Sequence, residues 1–412
     1  MPQVLVAGGG PAGLAAAVAA ARQGVRTALI ERYGFLGGMA TAGLVNPFMS
    51  WHDSTGRPLV AGIFQEMLDR MAALGGYGSD RAPTAFDAEV FRLAADRMCR
   101  DAGVRLRLHT LLAGAVRRGA RITSVRTESK SGPEKWKATV YIDCTGDADL
   151  AFRAGVPCDH GRAGDGLAQA MTLNFRMAGV DIERMPDRAE INRAFDEAKA
   201  AGRLDQPREN VLFFHTLRPG VIHFNTTRVV AASGVSAEDL TAAEVEARRQ
   251  AHELAAFLAA EVRGFESAYL EQSGAQIGVR ESRRIRGDYA LTGDDVIEAR
   301  KSPDGIARSS YPIDIHNPAG SGTSIREVPA GDYYEIPYRC LLPVGVDNLL
   351  VAGRCVSSTH EGQASLRVMP QCFAMGEAAG VAAAMAVRLR LSPREVAAEE
   401  LREALRAQGQ IV

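Results

Sequence analysis

The sequence predicts an α/β protein: a Rossmann-like domain with an inserted α+β domain built on an antiparallel sheet. Three observations predict it. Residues 3–31, QVLVAGGGPAGLAAAVAAARQGVRTALIE, read as strand, glycine turn, helix and second strand, closing on an acid. Residues 348–388 read as another buried strand, a polar loop and a helix of small residues. Between them, AMTLNFRM, NVLFFHTL and GVIHFNTTRVV alternate polar with apolar residues in parts, as strands of an antiparallel sheet do.

In the first unit, Gly8, Gly10 and Gly13 fit G-x-G-x-x-G directly after the apolar run Val4–Ala7. The first glycine permits a tight turn, the second lets the backbone approach a pyrophosphate, and the third lets helix and strand pack closely. The helix that starts there aims its N–H groups and the positive end of its dipole at phosphates. Small residues continue down one face at Ala17, Ala21 and Gly24. Glu31 lies 18 residues after Gly13, where a carboxylate accepts both ribose hydroxyls and disfavours a 2′-phosphate. This unit predicts a dinucleotide site, without separating NAD from FAD.

Composition sets the class. The 412 residues suffice for two domains, and 46% hydrophobic with 24% charged residues is globular. Net charge is 48 − 49 = −1, and basic patches such as Arg280–Arg286 are short, so nothing electrostatic points to nucleic acid or an acidic membrane. The apolar start lacks a basic n-region and is interrupted by glycines. The Ala-rich stretch Phe373–Val387 is too short to span a bilayer and contains Glu377, so a cytoplasmic protein is expected. Cys99, Cys144, Cys158, Cys340, Cys355 and Cys372 show neither C-x-x-C nor metal-ligand spacing. Reduced, mostly buried thiols and no metal are expected.

Thr84–Ala102 reads as a helix with Val90, Ala94 and Met98 on one face and Gly103 as its stop. VRLRLHT, ITSVRTES and KATVYIDCTGDADL read as strands, with the turn SGPEK before the last, whose YIDC rejoins the parallel sheet. The TGDAD turn then places Gly146, Asp147 and Asp149 at a strand's carboxyl end, where open α/β sheets bind ligands. Thr241 with Glu244 forms a capping box for a helix through about Arg263, with Leu254, Leu258 and Val262 on one face. The expected division is residues 1–160 and 336–412 for the nucleotide domain and 161–335 for an inserted substrate domain.

The combination GGGPAG, ERYGFLGGMATAGLV, YIDCTGDADLA, IGVRESRRIRGDYALT, YPIDIHNP, IPYRCLLP and NLLVAGRCVSSTHEGQASLRVMPQCFAMGEAAG resembles the FAD-dependent oxidoreductase family of bacteria and archaea. That family belongs to the glutathione-reductase-like, two-dinucleotide-binding-domain flavoproteins, and the resemblance runs over essentially the whole chain. It implies that Gly8, Gly10, Pro11, Ala12, Gly13, Glu31 and Arg32 hold the ADP half of FAD. It implies that Gly37, Gly38 and Met39 let the following loop pass the pyrophosphate and flavin. Gly146 and Asp147 would form a second contact, and Gly353 and Arg354 a third. Pro370 suits a first helical position. A helix starting there, with Arg367 and Val368 before it, would aim its positive end at the flavin edge where negative charge collects on reduction. FAD is expected to be non-covalent.

For proton transfer beside the flavin, histidine is the side chain poised near neutral pH. His360 in the loop STHEG is the first candidate, with Glu361 to orient it or to bind a polar substrate. His316 in YPIDIHNP is second and His52 in MSWHDS third. Arg280 and Arg283 offer bidentate forks for a substrate carboxylate, as they equally do for a buried carboxylate such as Glu281, while Arg367 is expected to add its charge to the stabilisation of the reduced flavin. Alternation should point Arg284 and Arg286 to one face. Asn225 and Arg228 are further candidates, and Tyr334 and Arg339 are expected to cap the same cavity.

The expected function is a dehydrogenase or oxidase passing hydride between a small organic substrate and flavin N5. The alternatives are a flavin monooxygenase of the hydroxybenzoate-hydroxylase kind and a flavin-containing RNA-modifying or assembly factor, which the lack of a basic tract disfavours. A second acceptor reoxidises the flavin, and the absence of a second G-x-G-x-x-G unit speaks against a separate NAD(P) domain. A homodimer is the default expectation.

Overall fold

The computed structural model describes residues 1–412. The chain begins with β1 (Val4–Ala7), α1 (Pro11–Arg22) and β2 (Thr27–Ile30), then α2 (Gly62–Ala73), α3 (Ala88–Asp101) and β3 (Arg105–Arg107). A meander of β4 (Leu111–Arg118), β5 (Arg121–Glu128) and β6 (Glu134–Trp136) leads into β7 (Val140–Asp143). The middle carries α4 (Asp149–Arg153), β8 (Cys158–His160), β9 (Phe175–Ala178), α5 (Arg188–Ala200), β10 (Phe213–His215), β11 (Ile222–Phe224), α6 (Ala237–Glu261) and β12 (Tyr269–Ser273). Next come β13 (Arg283–Ile285), α7 (Gly293–Ile297), β14 (Gly305–Ser309), β15 (Ile313–His316), β16 (Thr323–Arg326) and β17 (Tyr334–Pro337). The chain closes with β18 (Leu349–Val351), α8 (His360–Leu366), α9 (Met369–Leu389) and α10 (Ala398–Ala407).

The fold is mixed α/β around a five-stranded parallel sheet in the order β18-β7-β1-β2-β3, so strands from both ends of the chain lie side by side. Strands β1, β2, β7 and β18 are buried on both faces and alternate between two cores, while the edge strand β3 is partly exposed. Val4, Val6, Leu29 and Ile142 face α1 and α9, while Leu5, Ala28, Ile30 and Tyr141 face Leu112, Ile122, Val125 and Trp136 of the meander. An apolar run with no polar alternation, as in VLVA and TALI, is what a doubly covered parallel strand requires.

The two chain ends are joined where α1 crosses α9. A Cβ on Gly376 would lie 2.1 Å from the Ala12 carbonyl oxygen, and one on Gly380 would lie 2.3 Å from that of Ala16. Glycine at these two positions lets the helix backbones touch, which carries the first turn of α9 to the first turn of α1. α9 is the one helix long and apolar enough to cross a membrane, and it is mostly buried inside the protein.

A separate four-stranded antiparallel sheet, β10-β11-β9-β12, lies in the middle of the chain. One face presents Phe175, Met177, Ile222 and Phe224 to α5 and α6, with Phe175 and Phe224 stacked at 5.0 Å. The residues from Leu291 to Ile336 behave differently, because Leu291, Val296, Ile306, Ile313 and Ile336 pack into the core that contains α9.

Two helix starts depart from the sequence reading. Helix α3 begins at Ala88 rather than Thr84, because the Asp87 side chain accepts the N–H groups of Glu89 and Val90 and so fixes the cap there. Helix α6 begins one turn before Thr241, capped by Ser236, which accepts from Asp239. Inside the helix Thr241 donates back to the Ala237 carbonyl, and Glu244 accepts from Ile277, so the S/T-x-x-E pattern is not its cap.

Candidate functional site

The carboxyl ends of β1, β7 and β18 open onto one cleft. Gly8 makes its floor: φ is +96°, and a Cβ would lie 2.4 Å from the Cys144 carbonyl oxygen of the neighbouring strand. Gly13 allows the helix to sit on that turn, since its Cβ would meet the Gly8 oxygen at 1.8 Å. Gly10 is different, because a Cβ there meets nothing closer than Gly38 Cα at 3.7 Å. The space beside Gly10 is therefore open to a ligand. Gly10 caps α1 without a side-chain partner, leaving the first-turn N–H groups of α1 free to bind an anion.

The walls come from the segments expected. Gly8, Gly10, Pro11 and Ala12 line one side, and Glu31, Arg32, Gly38 and Met39 line the end beyond β2. Gly146, Asp147, Gly353 and Arg354 line the opposite side, and Arg367 closes the far end with Met369 and Cys372. Gly13, Gly37 and Val368 are outside the cleft. Gly13 and Gly37 shape turns, Gly37 at φ +111°, and Val368 is the N-cap of α9. Pro370 falls at the second helical position behind Met369, still inside the turn whose N–H groups need no acceptor. Tyr33 and Thr145 also line the cleft, inside ERYGFLGGM and TGDAD though not singled out there, as does Gln276, which no motif marks.

Glu31 is more committed than its spacing suggests. One carboxylate oxygen accepts the Gly9 N–H at 2.6 Å and the other the Tyr33 N–H at 2.9 Å. It thus holds the glycine turn, and each oxygen keeps one lone pair for a ribose hydroxyl. Asp147 accepts from Arg354 at 2.6 Å and from Ser282 at 2.7 Å, fastening the β7 turn to the β18 turn. With Arg32, Arg354 and Arg367 against Glu31 and Asp147, the cleft is one charge positive, which together with the open α1 terminus fits the pyrophosphate of a dinucleotide.

The residues proposed for catalysis are scattered. His360 is the first residue of α8 rather than part of a loop, is buried outside the cleft, and has Nδ1 2.9 Å from Glu281. Glu281 also pairs with buried Arg284 and accepts the Gln169 N–H at 3.0 Å, so His360 belongs to a buried network beneath the site. Glu361 lies against Gly293 of α7. Arg283 bonds the Asp147 carbonyl and Asp149, each at 2.9 Å, and stacks on Phe152, which makes it a strut behind the cleft. Arg284 and Arg286 do not share an environment: β13 ends at Ile285, and Arg286 turns to exposed Asp159. His52 is exposed. Tyr334 is buried against the Ser365 hydroxyl at 2.7 Å, and Arg339 pairs with Asp304 outside the cavity.

Of the catalytic candidates Arg367 lines the cleft, and His316 is linked to it through Asp314. The His316 Nε2 lies 3.5 Å from Asp314, while Nδ1 faces an Arg228 N–H at 3.5 Å and the Thr323 hydroxyl at 3.4 Å. Burial first, then the charge of Arg280, pushes its pKa down to about 3. It is a neutral imidazole whose two nitrogens are already engaged, donating to Asp314 through Nε2. Burial raises Asp314, but His316, Arg367 and Tyr311 outweigh it and hold the carboxyl well below its usual range. Tyr311 donates to Asp314 at 2.9 Å, and Arg367 bonds the Asp314 carbonyl at 3.0 Å. In YPIDIHNP the central place belongs to Asp314 rather than to the histidine.

Residues 3–405 match the family described as FAD dependent oxidoreductase. The chain belongs to that family. It is accordingly an enzyme whose cofactor is FAD. No curated protein sequence matches the chain. Among solved structures, it is similar to a geranylgeranyl bacteriochlorophyll reductase-like protein from Thermoplasma acidophilum, at 13% identity and a TM-score of 0.51, covering 99% of this chain and 83% of that one. It is similar also to p-nitrophenol 4-monooxygenase from Pseudomonas putida DLL-E4, at 10% identity and a TM-score of 0.50, covering 96% and 82%. These likenesses show the shared fold. Neither is specifically of the glutathione-reductase kind that the sequence motifs suggest.

Proposed function

We propose that this FAD-dependent oxidoreductase is a dehydrogenase or oxidase of a small organic molecule, moving a hydride between substrate and flavin. The observation that carries the reading is the far end of the cleft. Arg367 lines it and also reaches Asp314, in a partly accessible polar group with Tyr311, Arg280 and Asn225. Substrate polar groups thus have a place directly beside the cofactor cleft.

In this reading the free N–H groups of α1 bind the pyrophosphate, Glu31 and Arg32 take the adenosine end, and Arg367 with the first turn of α9 takes the flavin end. Bound FAD supplies a two-electron acceptor for hydride. Asp314 stays ionised and orients Arg367, whose charge favours electron density arriving at that end. Residues 161–335 supply the substrate side, the antiparallel sheet being its scaffold, and FAD is held without a covalent bond. Partners are a small-molecule substrate and a separate electron acceptor, in a cytoplasmic enzyme that takes no nucleic acid or membrane as ligand and pairs as a homodimer. The two-dinucleotide-domain kinship is supported by the paired N- and C-terminal motifs.

Anaerobic mixing of the holoenzyme with a panel of small alcohols, amines and acids tests this. Loss of the flavin band with one substrate class, without NADPH, supports it. Reduction by NADPH alone, followed by oxygen-dependent hydroxylation of an aromatic, overturns it in favour of a monooxygenase.

A further inference from the structure

Four guanidinium groups converge beyond Arg367 from separate parts of the chain. Arg208 comes from the loop between α5 and β10, Arg228 from the segment after β11, Arg280 from the approach to β13, and Arg367 from the junction of α8 and α9. Arg280 lies within Coulombic reach of the other three, and Arg208 within that of Arg228 and Asp314. The acids present are Asp314 and Glu209. Four positive against two negative charges leave an excess of two, because His316 is neutral.

No further acid balances this excess: Arg228 bonds the Gly320 and Gly322 carbonyls as well as Glu209, and Arg280 only the neutral oxygens of Ala170, Thr172 and Asn225. Arg208 is 3% exposed, yet its Nε only approaches Glu209 at 3.9 Å, and Nε and one terminal nitrogen have no hydrogen-bond acceptor. Arg228, 1% exposed, and Arg367 likewise each hold a buried Nε without an acceptor. Buried guanidinium N–H groups are costly when unpaired. The cofactor's pyrophosphate does not answer for them, since neither Arg208 nor Arg228 lines the cleft. The group is nonetheless reachable: Arg280, Asn225, Tyr311, Asp314 and Arg367 all keep partial accessibility.

We propose that Arg208, Arg228, Arg280 and Arg367 form a subsite for a carboxylate group of the substrate. This rests on the reading of the enzyme as a dehydrogenase or oxidase working beside the cleft. Guanidinium forks match planar oxyanions. The two acids already in the group leave a charge that a mono- or dicarboxylate fills, whereas they repel the denser charge of a phosphate.

The test titrates holoenzyme at low salt with acetate, succinate, neutral succinamide and inorganic phosphate, following the melting temperature and the visible flavin band. Saturable responses to the carboxylates and none to succinamide are expected. R208Q should weaken the carboxylate response at least tenfold while melting no lower than wild type without ligand, because it removes a buried charge whose one acidic neighbour, Glu209, stands 3.9 Å away and is not hydrogen-bonded to it. Exposed R286Q should respond as wild type does. A flavin-loaded protein indifferent to carboxylates, a preference for phosphate, an unchanged response in R208Q, or an R208Q variant that melts several degrees lower without ligand overturns the proposal. Protein lacking FAD would instead refute the functional reading, and its melting temperature would still report whether carboxylates bind.

Discussion

The crossing of α1 and α9 makes an unusual demand of Gly376. In an exposed helix interior, Gly→Ala gains about 1 kcal/mol from propensity and reduced unfolded-state entropy. Here the new Cβ would lie 2.1 Å from the Ala12 carbonyl oxygen and 2.7 Å from the Ala12 Cα, both backbone atoms of a packed helix. Reaching ordinary contact near 3.4 Å means separating the helices by roughly 1.3 Å. Overpacking of this kind costs about 1–3 kcal/mol, with the upper end fitting a backbone that cannot rotate away. The net loss from Gly376→Ala should thus be roughly 2 kcal/mol. Because Ala12 lines the cleft, the displacement also moves the first turn of α1, and FAD affinity should fall at least about tenfold, which is about 1.4 kcal/mol. Thermal melts and titration of the apo-protein with FAD, followed by flavin fluorescence, measure both effects. Gly380→Ala, whose Cβ would meet Ala16 oxygen at 2.3 Å one turn further from the cleft, should lose similar stability with less effect on FAD. A Gly376→Ala protein that melts at or above wild type and binds FAD normally refutes the reasoning.

Gly8→Ala should abolish FAD binding, since it combines a positive φ with a 2.4 Å clash against the Cys144 oxygen; retention of wild-type affinity would show that the turn yields. Glu377 is buried under the first turn of α2, accepting from Ile63 and Gln410, and burial pushes its carboxyl up to about 7. The folded state therefore holds a proton that the unfolded state releases above about pH 4.5, so stability falls as pH rises from there to about 7 and then levels, by up to ~3 kcal/mol. Glu377→Gln should remove that slope in denaturant titrations, and an unchanged slope counts against the assignment. Glu281→Ala strips buried Arg284 of its ion-pair partner and His360 of its hydrogen bond, and should cost about 3–5 kcal/mol in chemical denaturation; a loss under about 1 kcal/mol would show that neither depends on it.

The parallel sheet and the cofactor cleft were legible because their signals are local. Gly8, Gly10, Gly13 and the doubly apolar strands each state a backbone requirement in place, and the α9 glycines sit in a run of small residues that announces close packing. The region beyond Arg367 was not legible, since it is assembled by distance. Arg208 stands in a polar loop with no motif, and Asp314 sits two residues before a histidine that drew attention on chemical type alone. His360 misled for the same reason: position in a motif cannot tell a ligand from a residue whose ring is held by Glu281 behind the site. The early α6 cap shows the local limit, because Ser236 and Thr241 offer equivalent hydroxyls and only tertiary contact at Glu244 decides between them.

The most direct test of the account is the visible absorption spectrum of the purified protein, repeated on the supernatant after denaturation and removal of the polypeptide. A flavin spectrum with FAD recovered in the supernatant, about one per chain, is predicted from a cleft that both ends of the chain build for a dinucleotide held without a covalent bond. A colourless protein that FAD cannot reconstitute, or colour that stays with the pellet, contradicts it.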